Sequence, residues 1–157
     1  MIKLVASDLD GTLLHNYQQT VPKEIYDTIK ALHEKGIIFT AASGRQYANI
    51  RRLFAPLGFD IPYIAENGSM CVYKEEILAT GLTPSKTIRH ILDALMEYRK
   101  IYHTGHCILS VKDTYYSDST DERFIDYMEN DMHNIVTYVP DLYAIKEPII
   151  KAAICDF

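Results

Sequence analysis

The first part of the chain alternates short apolar runs with amphipathic segments. The runs at 2–7, 37–42 and 63–65 are mostly apolar on successive residues, which is typical of strands buried on both faces of a parallel sheet. Between them, 22–36 and 46–55 repeat apolar residues at helical spacing. Strand, helix, strand, helix, strand in this order predicts right-handed βαβ units. We therefore expect an α/β fold with a Rossmann-like parallel sheet.

The first predicted helix has recognisable ends. Thr20 is placed to cap it, Pro22 to begin it and Gly36 to end it. Ile25 and Ile29 start an apolar face that points to the core.

The pattern changes after residue 80. A helix is predicted from Thr83-Pro84, because Ile88, Ile91, Leu92 and Leu95 share one face. Further along come short strands at 107–111, 114–116, 135–139 and 149–155, and a helix to about Asp131 opened by a capping box of Ser119 and Glu122. This half reads as a separate α+β unit, so we predict two domains, 1–81 and 82–157.

Polar clusters follow each of the three predicted parallel strands. They are Asp8-Leu9-Asp10, Ser43-Gly44-Arg45 and Glu66-Asn67-Gly68. In parallel α/β sheets the ligand lies beyond the carboxyl ends of the strands. The three clusters are therefore expected to meet at one site.

The first cluster carries the most specific chemistry. Two carboxylates at Asp8 and Asp10 repel one another unless a cation joins them, and a hard divalent ion such as Mg²⁺ suits oxygen ligands. One carboxylate can act as a nucleophile and the other as a general acid and base. Gly11 lets the chain turn sharply. The alternative is a solvated acidic turn, since Asp and Gly are common turn residues.

The second cluster favours an anion. Backbone N–H groups at a helix start attract negative charge, the Ser43 hydroxyl adds a donor, and Gly44 permits close approach. Arg45 can reach either a substrate phosphate or a partner carboxylate. The alternative is that Ser43 is an ordinary helix N-cap.

Composition narrows the classes of partner. The chain has 157 residues, of which 48% are hydrophobic and 24% charged, and its formal net charge is −5. These values are those of a folded globular protein and exclude disorder. Because the chain is mildly acidic and has no basic block, we expect no nucleic-acid partner and no anionic membrane partner.

The cysteines and the N-terminus bear on location. The three cysteines show no CxxC pairing, which fits a reducing compartment. Asp8 and Asp10 interrupt the apolar N-terminal run, which therefore does not have the pattern of a signal peptide. We expect a cytoplasmic protein.

Three segments in order, DLDGTLL at 8–14, IIFTAASGR at 37–45 and IAENGS at 64–69, resemble the haloacid dehalogenase (HAD) superfamily and, within it, the Cof-type or IIB phosphatases. The resemblance implies a Mg²⁺-dependent phosphatase that hydrolyses a small phosphorylated metabolite, such as a sugar phosphate, through an aspartyl-phosphate. It implies that Asp8 is the nucleophile and Asp10 the general acid and base. Both would bind Mg²⁺, Asp8 through its carboxylate and Asp10 through its carbonyl.

The resemblance also implies a set of substrate contacts and a domain plan. The phosphate- and substrate-binding residues would be Leu9, Gly11, Thr12, Ser43, Gly44, Arg45 and Asn67. Residues 1–81 would form the N-terminal part of the HAD core. Residues 82–157 would form part of an α/β cap inserted after the third strand.

Two expected features of the family do not occur in this sequence: a later catalytic Lys and a Gly-Asp-rich acidic motif. Lys151 lies in a strand pattern and is not assigned that role. We therefore expect a fragment of a longer polypeptide or a chain completed by a partner, with self-association through the uncovered core. A phosphotransferase or mutase of the same superfamily, and a catalytically incomplete phosphate-binding module, are the alternative functions.

Overall fold

A computed structural model describes residues 1–15 and 18–156. The chain divides into two compact units, Met1–Gly81 and Leu82–Phe157. Phe157, the last residue of the second predicted domain, lies outside the described residues. None of the described helices combines the length and the apolar character needed to cross a membrane.

The first unit is built on one five-stranded sheet. Its elements are β1 (Leu4–Asp8), α1 (Lys23–Glu34), β2 (Ile38–Ala42), α2 (Tyr47–Phe54), β3 (Tyr63–Ala65), β4 (Met70–Tyr73) and β5 (Glu76–Thr80). The strands lie in the order β1-β2-β3-β4-β5. Because β1, β2 and β3 run parallel, the predicted α/β fold with a parallel βαβαβ arrangement is confirmed.

The hairpin of β4 and β5 was not indicated by the sequence pattern. Both strands pair antiparallel, and their turn places Lys74 and Glu75 at φ 51° and 63°. Turns of this kind usually carry Asn or Gly, whose absence here removes the sequence signal. All five residues of β5 are exposed, so its pattern carries no clear apolar face either.

β1 departs from the prediction that it is buried on both faces. Among the described residues it pairs only with β2, at the edge of the sheet. Leu4 is 54% exposed and Ile38, its partner on β2, is 50% exposed. Because Leu4 and Ile38 are paired in register, their side chains project from the same face of the sheet, and that face is open to solvent at these two positions.

The helices of the first unit pack apolar side chains onto β2 and β3. Phe54 on α2 contacts the rings of Phe39 and Tyr63, with centroids 5.9 and 6.4 Å apart. Burial raises the pKa of Tyr63 to about 12, so its hydroxyl is neutral at physiological pH.

At the start of α1 the N-cap is Pro22, which makes the prediction for Thr20 wrong. Gly36 ends the helix with φ +70°, as predicted.

The second unit has a four-stranded sheet. Its elements are α3 (Ser85–Tyr102), β6 (His106–Ser110), β7 (Tyr115–Ser117), α4 (Glu122–Asp126, continued by a π-helical turn over Tyr127–Asp131), β8 (Val136–Tyr138) and β9 (Lys151–Cys155). The strand order is β8-β7-β6-β9. Its main core joins Ile88, Leu92 and Leu95 on α3 to Cys107 and Leu109 on β6. The helix and strands predicted for this half therefore occur close to their predicted positions.

The start of α4 is set by a different residue from the one predicted. Asp121 is the N-cap, and its carboxylate accepts hydrogen bonds from the N–H groups of Arg123 and Phe124 at 2.8 and 3.2 Å. The predicted cap, Ser119, instead lies 2.9 Å from Nδ1 of His106. The hydrogen bonds from the N–H groups of Phe124 and Arg123 lower the pKa of Asp121.

Cys107 makes the stability of the second unit sensitive to alkaline pH. Burial raises its pKa to about 12, whereas the thiol in an unfolded chain ionises near its ordinary value of 9.0. The stabilisation that the neutral Cys107 thiol gives to the folded state is therefore complete below pH 9.0 and is lost as the pH rises towards 12. We expect the free energy of unfolding of wild type to fall more steeply over this range than that of Cys107→Ala. Urea unfolding followed by circular dichroism at stepped pH measures both slopes, and equal slopes would contradict the assignment.

Candidate active site

The carboxyl ends of β1, β2 and β3 lie level with one another. Asp8 pairs with Ala42, and Ala42 pairs with Ile64. Beyond these residues lies an open depression of about 410 Å³. Its lining residues are Asp8, Ala42, Ser43, Gly44, Ile64, Asn67 and Gly68. The structure therefore brings predicted residues from all three polar clusters together.

The loop after Asp8 is closed by its own backbone. The carbonyl of Leu9 accepts hydrogen bonds from the N–H groups of Thr12, Leu13 and Leu14 at 3.1, 2.9 and 2.8 Å. Gly11, at φ +82°, donates its N–H to the carbonyl of Leu14 at 2.7 Å. The Leu9 side chain is fully buried. Leu9 and Gly11 thus shape the loop, and the Gly11 N–H is already engaged inside it.

Thr12 lies beside the predicted nucleophile. Its hydroxyl donates a hydrogen bond to Oδ2 of Asp8 at 3.4 Å. Both side chains are solvent-accessible. The contact is long for an O–H···O hydrogen bond, so it constrains the Asp8 carboxylate only weakly.

Asp10 forms a bidentate ion pair with Arg45. Nε and Nη2 of Arg45 donate to the two oxygens of Asp10 at 2.9 and 2.6 Å. The Arg45 side chain is 5% exposed, whereas that of Asp10 is 53% exposed. Of the two partners that the sequence left open for Arg45, the structure places it on the carboxylate. Neither residue is among those that line the depression.

The turn around Ser43 ties β2 to the loop after β3. The N–H of Ser43 donates to the carbonyl of Ile64 at 2.8 Å, and the carbonyl of Ser43 accepts from the N–H of Asn67 at 3.2 Å. Its hydroxyl oxygen accepts from the N–H of Arg45 at 3.2 Å. Since α2 begins only at Tyr47, Ser43 closes this turn and is not the helix N-cap. Its hydroxyl hydrogen remains available to donate.

Gly44 and Asn67 approach one another closely. A Cβ at Gly44 would lie 2.3 Å from Oδ1 of Asn67, a distance that two such atoms cannot adopt. Asn67 has φ 59° and ψ 33°, a left-handed conformation that Asn tolerates better than most residues. A side chain at position 44 would therefore displace the Asn67 amide, which lies at the depression.

Glu66, the charged residue that directly follows β3, is buried. It is 2% exposed and has φ 53°, and its N–H donates to the carbonyl of Arg45 at 3.1 Å. A polar residue after a strand gives no sign of burial, so the sequence pattern alone could not identify it. Through this hydrogen bond, Glu66 helps to hold the turn that carries Ser43, Gly44 and Arg45.

The residues present match the donor chemistry of Mg²⁺. The Asp8 carboxylate is a hard oxygen ligand at the depression, and Mg²⁺ is commonly held by one or two carboxylates with water and phosphate. The Asp10 carboxylate is bound by Arg45. The second ligand that the resemblance to the HAD superfamily implies is the carbonyl oxygen of Asp10, which is also a hard oxygen donor. Within residues 1–15 and 18–156, no group of three or more His, Cys, Asp or Glu side chains could hold a metal.

Comparison with known proteins identifies similar chains. The sequence profile of the haloacid dehalogenase-like hydrolases matches residues 5–156. Phosphoglycolate phosphatase 1 of Saccharolobus solfataricus is 39% identical over 77 residues, which are 48% of this chain and 34% of that protein. A solved structure from Eubacterium rectale superposes with a TM-score of 0.80 at 25% identity. The match covers 98% of this chain and 57% of the Eubacterium chain.

A further solved structure shares the fold. It is a sugar phosphatase of HAD subclass IIB, with a TM-score of 0.72 and 22% identity, and the match covers 96% of this chain and 57% of that chain. This chain therefore spans 34% of the length of the Saccharolobus protein and 57% of the length of each of the two solved structures.

The close approach of Gly44 and Asn67 predicts a strong coupling between the two positions. Gly44→Ala should cost about 1–3 kcal/mol of unfolding free energy, because the new methyl group displaces the Asn67 amide. In the double variant Gly44→Ala/Asn67→Ala the amide is absent, so most of this cost should be recovered. Urea unfolding of wild type, both single variants and the double variant measures the coupling. Additive losses would contradict the contact.

Proposed function

Because the chain belongs to the haloacid dehalogenase-like hydrolases, we propose that it carries the nucleophile of a Mg²⁺-dependent phosphatase that acts on a small phosphorylated metabolite. The observation that carries the proposal is the shared depression, in which the Asp8 carboxylate faces the same space as Ser43, Gly44 and Asn67. A nucleophilic oxygen beside hydrogen-bond donors suits attack on a phosphoryl group, and a bound Mg²⁺ would offset the repulsion between the Asp8 carboxylate and the phosphate.

The site and the relatives both support a small phosphorylated substrate. An open depression of about 410 Å³ accommodates a phosphoryl group with a small leaving group. The relatives described above are named as phosphatases of phosphoglycolate and of a sugar. A small phosphomonoester, such as a sugar phosphate, is the substrate we propose.

In the first half of the reaction, Oδ of Asp8 attacks the phosphorus atom and the bond from phosphorus to the leaving oxygen breaks. Asp10 enters this step protonated, on an oxygen lone pair that the two hydrogen bonds from Arg45 do not use, and gives the leaving oxygen that proton. An alcohol then leaves and an aspartyl-phosphate forms on Asp8. The Ser43 hydroxyl and the Gly44 N–H donate hydrogen bonds to the phosphoryl oxygens. Arg45 holds the carboxylate of Asp10 at the edge of the site.

In the second half, Asp10 accepts a proton from water as the water oxygen attacks phosphorus. The bond between Asp8 and phosphorus breaks, which releases phosphate and restores both carboxyl groups to their starting forms. The ligands that would hold Mg²⁺ are the Asp8 carboxylate and the Asp10 carbonyl. When bound, the ion would neutralise charge on the phosphoryl oxygens and orient them.

Nucleophile replacement tests the proposal. The protein is assayed with p-nitrophenyl phosphate and with a panel of sugar phosphates, with Mg²⁺ and with EDTA. Asp8→Asn should lower turnover by at least about a thousandfold, because the amide is not a nucleophile. Asp27→Asn, the same change on the exposed side of α1, should leave turnover unchanged. EDTA should abolish turnover and added Mg²⁺ should restore it.

The other outcomes separate the alternatives. Undiminished turnover in Asp8→Asn would contradict the nucleophilic role. An isomerised sugar phosphate without release of free phosphate would identify a mutase. Calorimetric binding of Mg²⁺ with a fluoroberyllate analogue but no turnover by wild type would identify a phosphate-binding module.

A further inference from the structure

The guanidinium of Arg45 is held on two edges. Four of its N–H donors have acceptors: Nε and Nη2 donate to Asp10, and Nη1 donates to Gln19 at 3.0 Å and to Asn49 at 3.3 Å. A guanidinium is planar and carries five N–H donors in fixed directions. Fixing the Nη1 edge therefore fixes the direction in which Nε and Nη2 point, and so the place where Asp10 is bound.

The two acceptors come from different parts of the first unit. Asn49 lies on α2, four residues after Arg45, and is 1% exposed. Gln19 lies between the loop after β1 and the start of α1, and its oxygen also accepts from Nη2 of Arg52 at 3.4 Å. Arg45 is thus anchored both to α2, which begins two residues after it, and to the segment that follows the Asp8 loop.

The anchoring of Arg45 matters because Asp10, the other member of the ion pair, is exposed to solvent. The Asp10 side chain is 53% exposed, and an exposed carboxylate is held weakly by an ion pair alone when both side chains are free to move. Here the arginine side chain is almost fully buried, so the orientation of the pair is set from the buried side. The geometry at Asp10 therefore depends on residues that do not touch it.

We propose that Gln19 and Asn49 are positioning residues, which hold Arg45 and through it the carboxylate of Asp10. The inference rests on the proposed function, in which Asp10 transfers the proton. Neither residue is among those that line the depression, so neither is expected to contact substrate. Losing either oxygen leaves an Nη1 donor without its acceptor and lets the guanidinium rotate away from the orientation that presents Nε and Nη2 to Asp10.

The kinetic test uses Gln19, because its side chain is only partly buried and its replacement should not prevent folding. Gln19→Met keeps the length and loses the acceptor, and kcat should fall about tenfold with KM unchanged. Gln19→Glu keeps an acceptor oxygen and should restore kcat to within about threefold of wild type. Gln18→Met, the same change one residue earlier, should leave both constants unchanged. Asn49→Asp, which also keeps its acceptor, should behave like Gln19→Glu.

A second test does not depend on turnover. In a ¹H–¹⁵N spectrum the Nε–H of Arg45, assigned by its loss in Arg45→Lys, should exchange slowly with water. In Gln19→Met its exchange should speed up about tenfold or more, because the guanidinium loses one of the two acceptors that fix its Nη1 edge. The Nε–H of Arg99, which donates to the carbonyl of Gly105 at 2.8 Å in the second unit, serves as an internal reference and should not change.

The two tests separate failure of this inference from failure of the proposed function. Unchanged Arg45 exchange in Gln19→Met, or a fall in kcat that Gln19→Glu does not restore, would overturn the positioning role. A wild type without turnover would contradict the phosphatase while leaving the exchange measurement able to decide whether Gln19 holds Arg45. A rise in KM with kcat unchanged would assign Gln19 to substrate binding and overturn the proposal.

Discussion

The register of three parallel strands is the constraint on which the candidate site depends. Pairing of Asp8 with Ala42, and of Ala42 with Ile64, places the three strand ends at one level. The polar clusters that follow them are separated widely in the sequence and meet only because the strands are parallel and in this register. A shift of one residue in β1 would turn Asp8 to the opposite face of the sheet.

Backbone contacts then convert the strand ends into a shaped surface. The N–H of Asn67 is bound by the carbonyl of Ser43, and the N–H of Glu66 is bound by the carbonyl of Arg45. Two successive residues with positive φ make this possible, and Gly44 leaves the space that the Asn67 side chain occupies. Arg45 belongs to the same turn and carries the ion pair to Asp10. The turn therefore links the surface that faces a ligand to the carboxylate beside it.

Sequence patterns predicted the parts of this arrangement that rest on local chemistry. The apolar runs located β1, β2 and β3, and the DLDGTLL segment located the acidic loop after β1. The patterns did not predict the burial of Glu66, because burial of a polar side chain depends on distant residues. They left open whether Arg45 meets a phosphate or a carboxylate, since both accept the same donors. The cap of α4 was assigned to Ser119 instead of Asp121, because both residue types suit an N-cap.

The exposed edge at β1 has a consequence for the precision of the site. Asp8 is the last residue of a strand that, among the described residues, is hydrogen-bonded on one side only. The backbone that carries the Asp8 carboxylate is thus located by a single ladder of hydrogen bonds to β2, and no described strand pairs with the other edge of β1. Fluctuations of an edge strand are larger than those of a strand held from both sides. The precision with which the Asp8 carboxylate is positioned would therefore depend on what lies along that edge, whether water, another chain or a further strand.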